Sequence, residues 1–131
     1  MTEKDYYAKL TRYYERKALA TGNSCVWDAK FTRTNLIAFS CLASHQEEQM
    51  LRAQQRAFGY KIPDAGQAQK PFDGFVLTGA IAVLPIIFYR ERKTMIYEVP
   101  VNNFVYERER SIRKSLTEER AEAISTTTVR L

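Results

Sequence analysis

Asp28 and Lys30 stand two residues apart in the run Cys25-Val26-Trp27-Asp28-Ala29-Lys30-Phe31. If that run is a strand, side chains alternate between its faces, so Val26, Asp28 and Lys30 share one side. Cys25, Trp27, Ala29 and Phe31 share the other, which is apolar. A carboxylate and an ammonium group on one rigid strand face can act on a phosphodiester. The carboxylate is a hard oxygen ligand for Mg²⁺, which is commonly held by one or two carboxylates, waters and substrate phosphate. The cation polarises the phosphoryl group and activates water, and the ammonium group orients that water and offsets developing charge. The same triplet also fits an edge strand facing solvent. A second carboxylate, Asp73, lies in Phe72-Asp73-Gly74-Phe75. Asp-Gly is a favoured hairpin dipeptide, and the flanking phenylalanines favour a packed site over a plain turn.

The elements that must position these residues read as follows. Residues 5–20 carry Tyr6, Tyr7, Leu10, Tyr13, Tyr14 and Ala18 at helical spacing, and Thr21-Gly22-Asn23 stops the helix. The strand spans 25–31. Arg33-Thr34-Asn35 is a loop, and 36–42 is an apolar stretch of either state. Ser44-His45-Gln46-Glu47 forms a capping box with Ser44 as N-cap, opening a helix to about Phe58 with Gly59 as its stop. Residues 60–63 are extended and 64–71 form a loop. Residues 72–77 are the first arm of a hairpin, and 80–89 suit a buried central strand. A charged turn at 90–93 leads to a neighbouring strand at 94–99. Asn102 or Asn103 caps a short helix. Ser115-Leu116-Thr117-Glu118 is a second capping box, opening a helix to about Ile124, and the tail 125–131 frays. The order predicts an α/β sandwich with a mixed sheet flanked by helices, in one domain spanning 1–131.

Taken in order, Trp27-Asp28-Ala29-Lys30, the stretch Leu36-Ile37-Ala38-Phe39, and Ser44-His45-Gln46 ahead of a helix resemble the PD-(D/E)xK nuclease superfamily. Within it they resemble the RecU-type Holliday junction resolvases, or penicillin-binding-protein-related factor A. The later strands and the basic segment Ser111-Ile112-Arg113-Lys114 extend the likeness over residues 25–119. It implies a restriction-endonuclease-like core and a Mg²⁺-dependent endonuclease, with Mn²⁺ able to substitute. It also implies a homodimer that resolves four-way DNA junctions in recombination and repair. Asp28 and Asp73 would hold the metal, Lys30 would position water, and Gln46 would bond the water or a phosphate. Gln46 equally fits a solvent-facing residue in a helix first turn. This chain departs from the family in two ways. Asp28 stands where Glu is usual, and the usual metal-binding Asp on a preceding strand is absent, because only Thr21-Gly22-Asn23-Ser24 separates the first helix from the Asp28 strand. The expectation is that the hairpin carrying Asp73 has moved in sequence while Asp73 keeps its place in space. Asp64 is a weaker substitute. Glu15 is the candidate assisting carboxylate on the first helix, and His45 is structural or faces DNA.

The 131-residue chain carries 20 Lys+Arg against 15 Asp+Glu, a net charge of +5. A basic surface favours polyanions, and Arg33, Lys61, Lys70, Arg110, Arg113 and Lys114 are candidate phosphate contacts. No base-reading motif is present, which suits recognition of DNA shape. Cys25 and Cys41 lack zinc-ligand spacing and read as reduced, buried thiols. The charged start has no apolar run behind it, and 75–89 is interrupted by Thr78, Gly79 and Pro85, so a cytoplasmic protein without a membrane span is expected. Three other readings stay open: a restriction-like or phage DNA-processing nuclease, an inactive DNA-binding module of the same fold, and a structural interaction protein.

Overall fold

The computed structural model describes residues 2–55, 57–64 and 69–131. The chain begins with α1 (Glu3–Thr21), β1 (Cys25–Trp27), β2 (Lys30–Thr32) and β3 (Leu36–Ala38). A 3₁₀ turn (Phe39–Cys41) leads to α2 (Ser44–Ala53), and β4 (Phe58–Lys61) and β5 (Gly74–Leu77) form a hairpin. Then come β6 (Ile81–Phe88), β7 (Met95–Pro100), α3 (Val101–Arg110), β8 (Ser115–Thr117), α4 (Glu118–Ile124) and β9 (Thr127–Thr128). The protein is α/β, with four helices among the described residues flanking a mixed five-stranded sheet.

β6 is the axis of that sheet. β1 and β2 run parallel to it in one interrupted lane, and β7 runs antiparallel on its other side, followed by β9. The return from β1–β2 to parallel β6 uses α2 as the crossover, as a parallel pair requires. Strand alternation divides the core. Ala82, Leu84, Ile86 and Phe88 of β6 pack with Tyr97 and Val99 against Met50 of α2, Phe104 of α3 and Ala121 of α4. Val83 and Ile87 turn the other way, with Ile96 and Val129, and meet Tyr6, Leu10 and Tyr14 of α1. The result is α1 on one face and α2, α3 and α4 on the other, a three-layer arrangement. No helix is long and apolar enough to cross a membrane among the described residues.

Several elements differ from the sequence expectation for local reasons. α2 ends at Ala53 rather than near Phe58, because Phe58 is used as a strand residue opposite Leu77. Its N-cap is Ala43 instead of Ser44, with only half a capping box: Gln46 Oε1 accepts the Ala43 N–H at 3.1 Å. Residues 74–77 are the second arm of the hairpin with β4 and do not pair with β6. Ser115 belongs to β8, and Thr117 caps α4 by accepting the Arg120 N–H at 3.1 Å. Pro100, not an asparagine, precedes α3. The tail is not frayed: β9 extends the sheet and Val129 is buried in the core. Within the expected loop at 64–71, positions 65–68 lie outside the described residues, as does Arg56 in the expected longer helix.

The C-terminal helix is held by ion pairs as well as by packing. Arg90 reaches Glu118 through two bonds of 2.7 and 2.8 Å, and Arg120 reaches Glu107 through bonds of 2.8 and 3.0 Å. Each guanidinium holds its carboxyl partner below the usual carboxylate range.

Candidate functional site

The site forms where the parallel lane breaks. Along the edge of β6 facing β1 and β2, the Ile81 N–H donates to the Ser24 carbonyl at 2.9 Å, the Val83 carbonyl accepts from the Asp28 N–H at 3.2 Å, and the Tyr89 N–H donates to the Thr32 carbonyl at 2.8 Å. The odd-numbered residues of β6 therefore serve this lane, and the next donor in the series would be residue 85. It is proline, which has no N–H. Position 85 cannot reach the Asp28 carbonyl, and the lane opens between Trp27 and Lys30. Proline inside a strand is normally confined to edges and bulges; here, in a central strand, it produces the gap at Asp28-Ala29. Pro85→Val is expected to restore the missing donor, join β1 to β2, and add about 1 kcal/mol from one hydrogen bond. Amide exchange at position 85 would show whether the ladder has closed.

The alternation read from the sequence holds across the gap. Val26 packs toward the α2 layer, whereas Cys25, Trp27, Ala29 and Phe31 pack with α1. Asp28 and Lys30 line an open cleft of about 520 Å³ with Gln46, Cys41 and Thr32, and α1 contributes Glu3 and Tyr7 from the other side. Lys30 Nζ lies 2.9 Å from Asp28 Oδ2 and donates to Gln46 Oε1 at 3.1 Å. The same Gln46 oxygen caps α2, so the ammonium group is tied to the start of that helix. Asp28 Oδ2 is buried and has no aligned hydrogen bond. The Lys30 contact supplies charge, but it lies off the direction a hydrogen bond needs. That oxygen therefore retains bonding capacity.

On the α1 side, the Tyr7 hydroxyl donates to Glu3 Oε1 at 2.5 Å. Burial first, then this bond and the charges of Glu3 and Asp28, push the Tyr7 phenol up to about 12. Tyr7 therefore stays a neutral donor across the physiological range and directs Glu3 at the cleft.

Comparison with family models, curated proteins and solved structures found no match.

Among the described residues, no three His, Cys, Asp or Glu side chains gather to hold a metal ion. A closed, all-protein zinc cage is thus not built from them. Two carboxylates on one cleft, one with a buried oxygen whose contact is the ion pair with Lys30 and not a hydrogen bond, fit the sparser demand of Mg²⁺. Asp28 and Glu3 are the residues able to hold it. The two cysteines are free. Burial raises both thiols, Cys25 to about 11, which disfavours the thiolate a metal requires.

Of the four expected catalytic residues, the structure brings together Asp28, Lys30 and Gln46. It does not bring Asp73 to them. Asp73 is 89% exposed at the outer end of the β4–β5 hairpin, 3.1 Å from Lys70. It lines a separate cavity with Lys61 and Asp64, which shares no residue with the Asp28 cleft. The hairpin is anchored at its opposite end, where Phe58 and Leu77 pack against Ala53 and Ala80. At about 3.3 Å per residue, its arms carry Asp73 outward. Asp64 sits beside it, paired with Lys61 and Lys70. Glu15 is exposed and lies outside the cleft; Glu3 lines it instead, on a helical turn that begins two residues earlier than the apolar pattern indicates. His45 is exposed.

The basic candidates are dispersed. Arg33 lies over the Tyr89 ring at 4.7 Å and the Phe31 ring at 5.4 Å, and Arg110 lies over Tyr106 at 4.9 Å. Lys61 and Lys70 pair with the hairpin carboxylates. Arg113 and Lys114 are exposed on the turn between α3 and β8.

Proposed function

We propose that the protein is a metal-dependent endonuclease acting on DNA. The observation that carries this reading is the convergence of Asp28, Lys30, Gln46 and Glu3 on one open cleft at a break in the central sheet. A divalent cation there would polarise the phosphoryl group and acidify water. Asp28 and Glu3, which both line the cleft, would supply hard oxygen ligands to it. Lys30, 11% exposed and anchored by Asp28 and Gln46, presents a fixed positive charge to the pentacoordinate phosphate. Preorganised charge of that kind supplies much of the rate enhancement in many enzymes. Gln46 fixes Lys30 and leaves its amide group to bond a phosphate oxygen at the start of α2, where helix geometry favours anions.

The interrupted β1–β2 lane, the α2 crossover and parallel β6 agree with a restriction-endonuclease-like core. The resemblance in sequence extends the reading to a resolvase of four-way junctions acting as a homodimer in recombination and repair, with Mg²⁺ replaceable by Mn²⁺ and the cytoplasm as its place. One observation favours a second reading, an inactive DNA-binding module: Lys30 is neutralised by Asp28, and Asp73 stands apart.

The test is cleavage of labelled four-way junction and linear duplex with Mg²⁺, Mn²⁺ or EDTA. The expected result is metal-dependent cutting that favours the junction. Binding of both substrates without cutting in any metal would select the inactive module, and cutting of linear duplex alone would select a restriction-like enzyme.

A further inference from the structure

The outer face of α1 carries Lys9, Arg12 and Arg16, all exposed. At 100° per residue these three lie on the side of the helix roughly opposite Glu3 and Tyr7. Arg130, from the segment after β9, joins them. Together with Tyr13 and Leu131 they line a cleft of about 280 Å³. A second cleft of about 600 Å³ continues past Arg130 to Lys93 on the β6–β7 turn. Three arginines elsewhere are matched with carboxylates, Arg90 with Glu118, Arg108 with Glu47 and Arg120 with Glu107, whereas Arg52 and Arg110 lie over the Phe58 and Tyr106 rings. Arg12, Arg16 and Arg130 make no ion pair with any described residue. On α1, Asp5 accepts from the Thr2 N–H at 2.7 Å and also interacts with Lys9. Arg12, Arg16 and Arg130 thus form a group of guanidinium charges with no carboxylate partner among the described residues, with the half-buried Tyr13 ring in the floor of the cleft.

We propose that this face of α1, with Arg130, grips the phosphate backbone of a duplex DNA arm on the far side of the helix from the cleft. The stripe from Lys9 to Arg16 spans about 10 Å at 1.5 Å per residue, and a strand presents a phosphate about every 3.4 Å of rise. Two to three phosphates therefore fall within reach of its side chains. Guanidinium groups suit the task, because their planar forks pair bidentately with phosphate oxygens. A surface of this kind reads no bases and serves to hold and orient the substrate. The proposal takes its polyanion from the DNA-processing reading and adds a second site of contact to it.

The experiment measures binding of fluorescent duplex DNA by anisotropy over a NaCl series, in EDTA so that cutting plays no part. Wild type is compared with the combined Arg12→Gln, Arg16→Gln and Arg130→Gln variant. Each lost phosphate contact should lower the slope of log K against log salt by about 0.9, so the combined variant should lose about 2 to 3. The three side chains are exposed; should the combination fail to fold, Arg16→Gln alone should lose about 0.9. An unchanged slope overturns the proposal, as does a wild type that binds no duplex. Binding of phosphatidylglycerol–phosphatidylcholine vesicles that depends on these residues, without duplex binding, also overturns it in favour of a membrane surface. A wild type that binds duplex through these arginines yet cuts nothing with Mg²⁺ or Mn²⁺ would leave the surface standing and end the nuclease reading.

Discussion

Asp28→Asn is expected to abolish metal-dependent cleavage while the protein still folds and still binds DNA. The substitution keeps the volume of the side chain and removes its charge, so the effect reports on the charge. Charge stabilisation by a bound cation supplies several kcal/mol of transition-state energy. At tenfold in rate for each ~1.4 kcal/mol, loss of the proposed ligand should lower kcat roughly 10²–10⁴-fold. Folding should change little. Asp28 is 30% exposed and its one ion pair is with Lys30, which keeps its bond to Gln46; partly exposed pairs are worth about 0–1 kcal/mol. Lys30→Met should cost about 10²–10³ in kcat by removing one preorganised stabilising group, with DNA affinity little altered. Asp73→Asn is the contrasting variant. Its carboxylate sits on the hairpin beside Lys70, in another cavity, so single-turnover cleavage should match wild type. A loss of cutting in Asp73→Asn equal to that in Asp28→Asn would mean that the hairpin closes on the cleft in the DNA complex. Full cutting by Asp28→Asn would remove the cleft from the reaction altogether.

The Asp28–Lys30 face is legible in the sequence because strand alternation is a period-2 rule that needs no tertiary information, and residues 25–31 obey it across the break. The buried strand at 81–88 is legible for a similar reason, as an unbroken apolar run. The break itself is not, although its cause, Pro85, is visible in the sequence. A proline marks a gap only once the neighbouring lane and the direction of its N–H are known. Asp73 misleads for a different reason. Its flanking phenylalanines suggest a packed site, yet Phe72 is 53% and Phe75 39% exposed, and residues 74–77 pair with residues 58–61 instead of with the β1–β2 lane. Strand pairing is non-local, and nothing in a local pattern names the partner. Glu3, and not Glu15, reaches the cleft because α1 starts at its N-cap Thr2, whose N–H and hydroxyl both donate to Asp5 Oδ2, one turn of polar residues ahead of the apolar stripe. The tail looks frayed from its polar Thr126-Thr127-Thr128, and its order comes from the free edge of β7, where Thr127 pairs with Glu98.

Glu98 supports the second large effect, which concerns stability. It looks from the sequence like one polar position in an alternating strand, yet its side chain is only 4% exposed in the structure. Its carboxylate is fully engaged. Lys17 Nζ donates to both oxygens at 3.0 Å, the Tyr14 hydroxyl donates to Oε1 at 2.9 Å, and the Thr126 hydroxyl donates to Oε2 at 3.0 Å. These partners come from α1 and from the segment leading into β9, so one carboxylate joins the first helix, the sheet and the C-terminal strand. Removing one side of a buried, bonded charge leaves the other uncompensated, at about 3–5 kcal/mol. Lys17 is 37% exposed and can turn to water, which puts Glu98→Ala near the lower end of that range, about 3 kcal/mol. In a domain of this size each kcal/mol moves Tm by about 3–5 °C, so circular dichroism should show a fall of roughly 10–15 °C. Lys17→Met should cost less, because Tyr14 and Thr126 still donate to the carboxylate. The combined Glu98→Leu, Lys17→Met and Tyr14→Phe variant should recover most of the loss, since apolar replacement of a buried charged set is often neutral or stabilising and Thr126 keeps its hydroxyl bond to the backbone carbonyl of residue 98. If Glu98→Ala melts with wild type while the triple variant falls, the energy at this junction comes from packing of the side-chain stems and not from the carboxylate. Because α1 also carries Glu3 and Tyr7, Glu98→Ala should loosen the Asp28 cleft from behind, and any loss of the proposed cleavage should track the loss of folded protein with temperature.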